Sequence, residues 1–210
     1  MDELADDDTK VQQIRKAATT LFLQHGFGHV STAALAKEAG VSKETLYSRY
    51  PNKDAVLADV LQHLISAGRP GPGPMPVLRT RADLKTALLH FTRTLGSQLM
   101  QREYLELSRV VIAETPRLPH IGEIFRRSVP EVSLRHAGAL LESARTAGLI
   151  GDVDLAAAAR MLVGPVVIQV LLNGLLVAPS ADRSQTPGLD TDTHVHLLLA
   201  MLSPARKAER

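Results

Sequence analysis

Along most of this chain apolar residues recur at intervals of three and four, the spacing that gives a helix one buried face. Val11, Ile14, Ala18, Leu21 and Phe22 form the first such stripe and predict a helix over 9–25, stopped by Gly26. Leu35, Ala36 and Ala39 predict a short second helix, Thr32 to Ala39, ended by Gly40, the residue type that accepts the left-handed conformation of a helix stop. Ser42 is a start signal for a third, Lys43 to Tyr50, with Leu46 and Tyr50 pointing inward. Asn52 opens a fourth, whose stripe is Leu57, Val60, Leu61 and Leu64. Residues 67–76 hold four prolines and three glycines, cannot continue a helix, and are read as a linker between domains.

Beyond the linker the same pattern predicts helices over roughly 81–100, 102–114, 119–147 with a break at Pro130, 153–177 and 191–203. No strand-like alternation occurs, so the expected fold is all-α. Its expected parts are an acidic, disordered tail at 1–8, a small helical domain at 9–66 ending in the connecting fourth helix, the linker, and a larger helical domain at 77–210.

The second and third helices, joined by a tight glycine turn, have the form of a helix-turn-helix. An ordinary helical corner is the alternative, and the third helix argues against it. Lys43, Glu44, Thr45, Ser48 and Arg49 make one polar face, and two of the chain's three tyrosines, Tyr47 and Tyr50, lie among them. A helix of this kind fits the major groove of DNA, whose base edges carry a distinct donor and acceptor code.

The run VSKETLYSRYPNKDAVL resembles the recognition helix and following helix of the TetR family of bacterial one-component transcriptional regulators. The features carrying the resemblance are GVS, the LY pair, an aromatic before proline and the lysine opening the fourth helix, and it extends over 10–66. It implies a dimeric, all-helical regulator with an N-terminal three-helix DNA-binding domain and a C-terminal helical ligand-binding and dimerisation domain, in which a small effector commonly releases DNA. It further implies that Thr32, Lys43, Tyr47 and Lys53 touch the DNA backbone. Base reading falls to Glu44, Thr45, Ser48 and Arg49, since arginine can hold guanine by two bonds and glutamate can accept from cytosine. Ser42 and Tyr50 complete the candidate DNA-binding set. The chain departs from the family at Arg49, often His, at Glu44, often a small residue, and in lacking a basic N-terminal arm. A weaker resemblance, over AETPRLPHIGEIFRR, is to one group of the family's C-terminal domains.

Composition narrows the classes. With 45% hydrophobic and 22% charged residues the chain reads as globular, and with no cysteine it has no disulfide or thiol chemistry. The opening MDELADDD has no basic or apolar signal region, which predicts a cytoplasmic protein. Met161 to Ala178 is strongly apolar but interrupted by Gly164, Pro165, Gln169, Asn173 and Gly174, and is read as a buried helix rather than a membrane span. The net charge of +2 hides five acids in 2–8, whereas 9–66 carries seven basic residues against four acidic ones, a modest excess that suits phosphates.

The 153–177 helix is apolar nearly all round and must be buried on two sides, while the last helix has the stripe Val195, Leu198, Leu199 and Leu202. As the family resemblance implies, Val166, Val170 and Gly174 with that stripe are the candidate interface of a homodimer, a monomer core being the alternative. Candidate effector-lining residues are Phe91, Leu95, Leu99, Tyr104, Leu107, Val111, Phe125, Met161, Pro165 and Gln169, with Arg109, Glu114, His120 and His136 as candidate polar contacts. So few aromatics predict an apolar or amphipathic small-molecule ligand. A dimeric DNA binder, or a regulator acting through a protein partner with no small effector, is the alternative. His194 and His196 point apart on a helix, and no nucleophile elbow, P-loop, HExxH or cysteine cluster occurs, so neither enzyme nor cofactor is expected.

Overall fold

In the computed structural model, which describes residues 2–66, 76–178 and 188–203, every regular element among those residues is helical. In chain order these are α1 (Asp2–His25), α2 (Thr32–Ala39), α3 (Lys43–Arg49), α4 (Lys53–Ser66), α5 (Arg81–Leu99), α6 (Arg102–Glu114), α7 (Pro119–Ser128), α8 (Pro130–Thr146), α9 (Leu155–Val170), a π turn continuing α9 (Leu171–Leu175) and α10 (Thr191–Met201). The break expected at Pro130 falls between α7 and α8, with the proline in the first turn of α8, where its missing N–H costs nothing. Asp154 caps α9, accepting from the amides of Ala156 at 2.8 Å and Ala157 at 3.1 Å.

Residues 2–8 correct the expectation of a disordered tail, because α1 begins at Asp2. A run of acids is compatible with a helix start, where the exposed amide ends of the backbone favour negative charge. The linker expected at 67–76 lies, apart from Pro76, outside the described residues.

The helices pack as two units whose division differs from the expected one at the linker. The first unit holds α1 to α4 together with α6 and α7, and the second holds α5, α8, α9 with its π turn, and α10. The segment 101–130, assigned from sequence to the larger domain, thus returns to the N-terminal helices, α6 lying on α1 and α7 on α4. A periodic stripe shows that α6 buries Tyr104, Leu107 and Val111, but not which helices receive them. Tyr104 stacks on Phe125 of α7 at 6.2 Å between centroids, and burial pushes its phenol up to about 12.

The first unit's core is built from Ile14, Ala18 and Phe22 of α1, Leu35 of α2, Leu46 of α3 and Val56, Leu57 and Leu61 of α4. Phe27, just past α1, packs against Phe22 at 5.2 Å. Beside this core lies a charged anchor. Arg15 of α1 holds Asp59 of α4 through two bonds, Nε at 2.7 Å and Nη2 at 2.8 Å, and Tyr50 at the end of α3 donates its hydroxyl to the same carboxylate at 2.5 Å. His63 Nδ1 lies 3.2 Å from Arg15 Nη1. Burial alone would raise the Asp59 carboxyl, yet the hydrogen bonds from Arg15 and Tyr50 outweigh it and hold the group below its ordinary value. Burial and the neighbouring carboxylate push the Tyr50 phenol upward.

In the second unit, Thr80 and Asp83 form a reciprocal capping box at the start of α5. Arg81 reaches the end of α10, donating to Leu199 O and Ser203 Oγ at 3.0 Å, and Arg93 pairs with Asp192. The His194 ring lies 3.1 Å from Leu162 O, and the Gly151 amide donates to Leu202 O at 2.9 Å. Leu155–Leu175, at 21 residues, is the one helix among those described that is apolar and long enough to cross a membrane, although Leu162, Val163, Val166 and Val170 are packed inside the unit.

The anchor gives a signed expectation. Because folding lowers the Asp59 pKa, its stabilising effect is present above the unfolded carboxyl value near 4 and is lost as pH falls below it. Replacing Asp59 by Asn should cost about 2 kcal/mol at pH 7. It should also flatten the fall in thermal stability below about pH 4, both read by thermal unfolding across pH.

Candidate nucleic-acid interface

The turn between α2 and α3 is set by Gly40, whose φ of 67° is a left-handed conformation that a side chain would strain. The Val41 amide closes the end of α2 on Ala36 O at 3.0 Å. Ser31 caps α2 through the amide of Ala34 at 3.1 Å, and Ser42 caps α3 through that of Thr45 at 3.0 Å. The Ser42 hydroxyl also lies 2.9 Å from Thr45 Oγ1, so its main use is to start the helix.

The seven residues of α3 bury only Leu46. Lys43, Glu44, Ser48 and Arg49 are exposed, Tyr47 is 50% exposed, and Thr45 is half-buried. Ser48 donates back to Thr45 O at 2.9 Å, leaving its oxygen lone pairs directed outward. Thr32, half-buried in the first turn of α2, lies with its hydroxyl 2.9 Å from that of Tyr47. The structure therefore joins two residues fifteen positions apart into one polar edge beside α3.

Tyr50 and Lys53 are placed differently from the expectation. Tyr50 is 8% exposed and its hydroxyl is bound to Asp59, so it secures α3 from beneath. Lys53 donates to Phe27 O at 2.7 Å and Val30 O at 2.8 Å, and its ammonium sits 4.2 Å from the centre of the Phe27 ring. Burial lowers its pKa, against the opposing fields of Asp54 and Glu114. Two of its three N–H donors are thus committed to the loop between α1 and α2. The resemblance names both positions without showing that their polar atoms are engaged inside the fold.

Sequence reasoning missed the other supports. Arg15 and Asp59 belong to the anchor described above. Glu114 and His120, candidate effector contacts by sequence, both lie in the first unit. Glu114 Oε2 accepts the Gly28 amide at 2.9 Å, while His120 sets its ring edge toward Phe27 and lies 3.7 Å from Asp54. No local pattern signals bonds between residues so distant in the chain.

The effector-lining candidates divide between the units. Tyr104, Leu107, Val111 and Phe125 are in the first unit, the first three of them buried. Phe91, Leu95, Leu99, Met161, Pro165 and Gln169 are in the second, where Leu95 and Leu99 are buried and Met161 is exposed. Pro165 and Gln169 line an open concavity of about 520 Å³ with Gly164, Ile168, Leu172, Asn173, Gly188 and Leu189. The interface candidates require a correction: Val166, Val170, Gly174, Val195, Leu198 and Leu202 are buried within the second unit itself, and Leu199 is half-buried. The exposed apolar side chains are their neighbours, Met161, Val167, Ile168, Leu171, Leu172 and Leu176 on α9 and the π turn, with Leu197 and Met201 on α10. A stripe at helical spacing marks a packed face, and here the chain packs it against itself.

These assignments give separate expectations for the cap and the brace. Ser42→Ala should cost about 1 kcal/mol through the lost cap. Lys53→Ala should cost about 1–3 kcal/mol by leaving the Phe27 and Val30 carbonyls without their charged donor. Thermal unfolding followed in the N-terminal helices measures both, and no change in the Lys53 variant would remove its bracing role.

Residues 14–60 match the sequence model described as bacterial regulatory proteins, tetR family, and residues 86–201 match that of the AefR-like transcriptional repressor C-terminal domain. The chain is 26% identical over 168 residues to the uncharacterized HTH-type transcriptional regulator YdeS of Bacillus subtilis, covering 80% of this chain and 81% of that one. With the HTH-type regulator Mb2274c of Mycobacterium bovis it shares 31% identity over 104 residues, 49% of this chain and 54% of the relative. Among solved structures, the Flavonoid-responsive Regulator FrrA superposes with a TM-score of 0.66 at 28% identity, over 92% of this chain and 94% of FrrA. A TetR regulator of Agrobacterium tumefaciens shares the fold with a TM-score of 0.65 at 23% identity, over 93% and 96% of the two chains. These relatives are transcriptional regulators, not enzymes. With its C-terminal match alone covering more than half of its length, and its helix-turn-helix formed as described, the chain belongs to the TetR family of DNA-binding transcriptional regulators.

Proposed function

We propose that this regulator represses transcription by binding a pseudo-palindromic operator as a homodimer and is released by a small apolar or amphipathic ligand. The observation carrying the DNA part is the exposed polar face of α3, secured from below by Leu46 and Tyr50. Lys43, Tyr47 and Thr32 contact phosphates and fix register, while Glu44, Thr45, Ser48 and Arg49 face base edges. Ser42, Tyr50 and Lys53 serve the same surface indirectly, as cap, anchor and brace. The protein acts in the cytoplasm, where its DNA lies.

Pairing rests on the exposed apolar stripe of α9 and the π turn, together with Leu197 and Met201 of α10. Large apolar side chains gathered along one helix favour a partner over water, and an identical stripe on a second copy is self-complementary. Two reading heads roughly 34–36 Å apart can then enter successive major grooves. The ligand is assigned to the second unit, whose concavity has a volume within the range of small-molecule sites and is lined by the carboxamide of Gln169. Ile168 and Leu172 belong to both this concavity and the pairing stripe, so a bound ligand can favour one spacing of the reading heads over another. FrrA is flavonoid-responsive, and flavonoids are amphipathic molecules of the class proposed.

Lys43→Ala should weaken binding to all duplexes alike and reduce the salt slope by about one. Arg49→Ala should relax preference at one base pair, a difference of about 1–3 kcal/mol. Fluorescence anisotropy with a fragment selected from genomic DNA, and with single-base variants of it, distinguishes the two. Undiminished discrimination by the Arg49 variant would remove its role. Leu172→Glu should convert a sedimenting dimer into a folded monomer, and a parent protein that already sediments as a single chain contradicts the pairing.

A further inference from the structure

The loop between α1 and α2 decides where the reading head begins, and two helices hold it. α1 ends at Gly26, which takes a φ of 75° while its amide closes on Phe22 O at 3.0 Å. Phe27 and Val30 are buried, and Ser31 and Thr32 follow at once as the cap and first residue of α2. From α4, Lys53 binds the Phe27 and Val30 carbonyls. From the last residue of α6, Glu114 binds the Gly28 amide.

That carboxylate lies directly over the two glycines. A Cβ at Gly26 would stand 2.2 Å from Glu114 Oε1, and one at Gly28 would stand 3.5 Å from Oε2 and 3.4 Å from Leu118 Cδ1. Glu114 is itself held at the corner between α6 and α7, where its carbonyl accepts the amides of Arg117 at 2.9 Å and Leu118 at 2.8 Å. In the chain, α6 and α7 run between α5 and α8, both helices of the second unit, yet they pack in the first.

We propose that Glu114 is a positioning residue for DNA binding: by holding the Gly28 amide it fixes the loop that sets the start of α2, and so couples the α6–α7 corner to the reading head. It rests on the DNA-binding reading above and extends it to a residue that touches no DNA. The charged acceptor makes the Glu114–Gly28 contact a strong single bond, and Gly26 makes room for it, since a side chain there would push the carboxylate away.

The test is a cycle of full-length variants, Glu114→Ala, Glu114→Gln, Gly26→Ala and the Gly26→Ala/Glu114→Ala double variant, with Ile112→Ala, exposed on the same helix, as control. Binding is measured by anisotropy on a duplex selected by the parent protein, alongside melting temperature and exchange of the Gly28 amide. Glu114→Ala should weaken binding about tenfold and lose protection at Gly28. Glu114→Gln, whose amide oxygen still accepts the Gly28 N–H, should stay within about threefold of the parent, and Ile112→Ala should match it. Gly26→Ala should weaken binding too, and the double variant should be no weaker than Gly26→Ala alone, because both changes remove the same contact. Parental affinity in Glu114→Ala, equal losses in the Ala and Gln variants, or simple addition in the cycle would each overturn the assignment. Failure of the parent to bind any selected duplex would instead overturn the DNA-binding reading on which it rests.

Discussion

The seven-residue second helix of the helix-turn-helix cannot hold its own shape or place. A helix so short is marginal in water, and α3 gives its polar face to the outside, leaving only Leu46 for packing within its length. Its position therefore depends on what grips its end, the bond from Tyr50 to the carboxylate that Arg15 already holds. Asp59 would be costly in that half-buried place without the guanidinium, and Tyr50 would have no fixed acceptor without Asp59. One carboxylate thereby fastens α1, α3 and α4 together, and the exposed side chains of α3 inherit their direction from it.

The rest of the first unit reads as reinforcement of the same small surface. Lys53 draws the carbonyls on one side of the α1–α2 loop toward α4, and Glu114 draws an amide on the other side toward α6. Opposite charges thus hold opposite polarities of one backbone segment. The second unit is built on another principle, with apolar faces turned both inward and outward on α9 and polar bonds from Arg81 and Arg93 of α5 to the two ends of α10. The first arrangement suits a rigid reading head, and the second suits the pairing and ligand site proposed above.

Much of the helical order was legible in the sequence because its signals are local. Apolar spacing and the Gly40 stop place α2 at its observed limits, the helical pattern alone places α6, and Ser42 and Asn52 act as caps where read. The acidic run misled because its composition resembles a disordered tail while its position favours a helix start. The faces of α9 and α10 were not legible, since a helix apolar on more than one side does not announce which side is internal. Val195, Leu198 and Leu202 turned inward, leaving Leu197 and Met201 outside. The supports of the site escaped for a different reason: Arg15 and Asp59 are 44 residues apart, Glu114 and Gly28 are 86 apart, and only the folded chain brings them together.

The central claim is that a pair of these reading heads meets one duplex. Hydroxyl-radical footprinting of the purified protein on a fragment it selects from genomic DNA addresses that claim most directly. The account expects two protected half-sites related by approximate two-fold symmetry, with centres about 10 base pairs or a multiple apart on one face of the helix. Protection of a single half-site, or a footprint with no sequence preference, would contradict it.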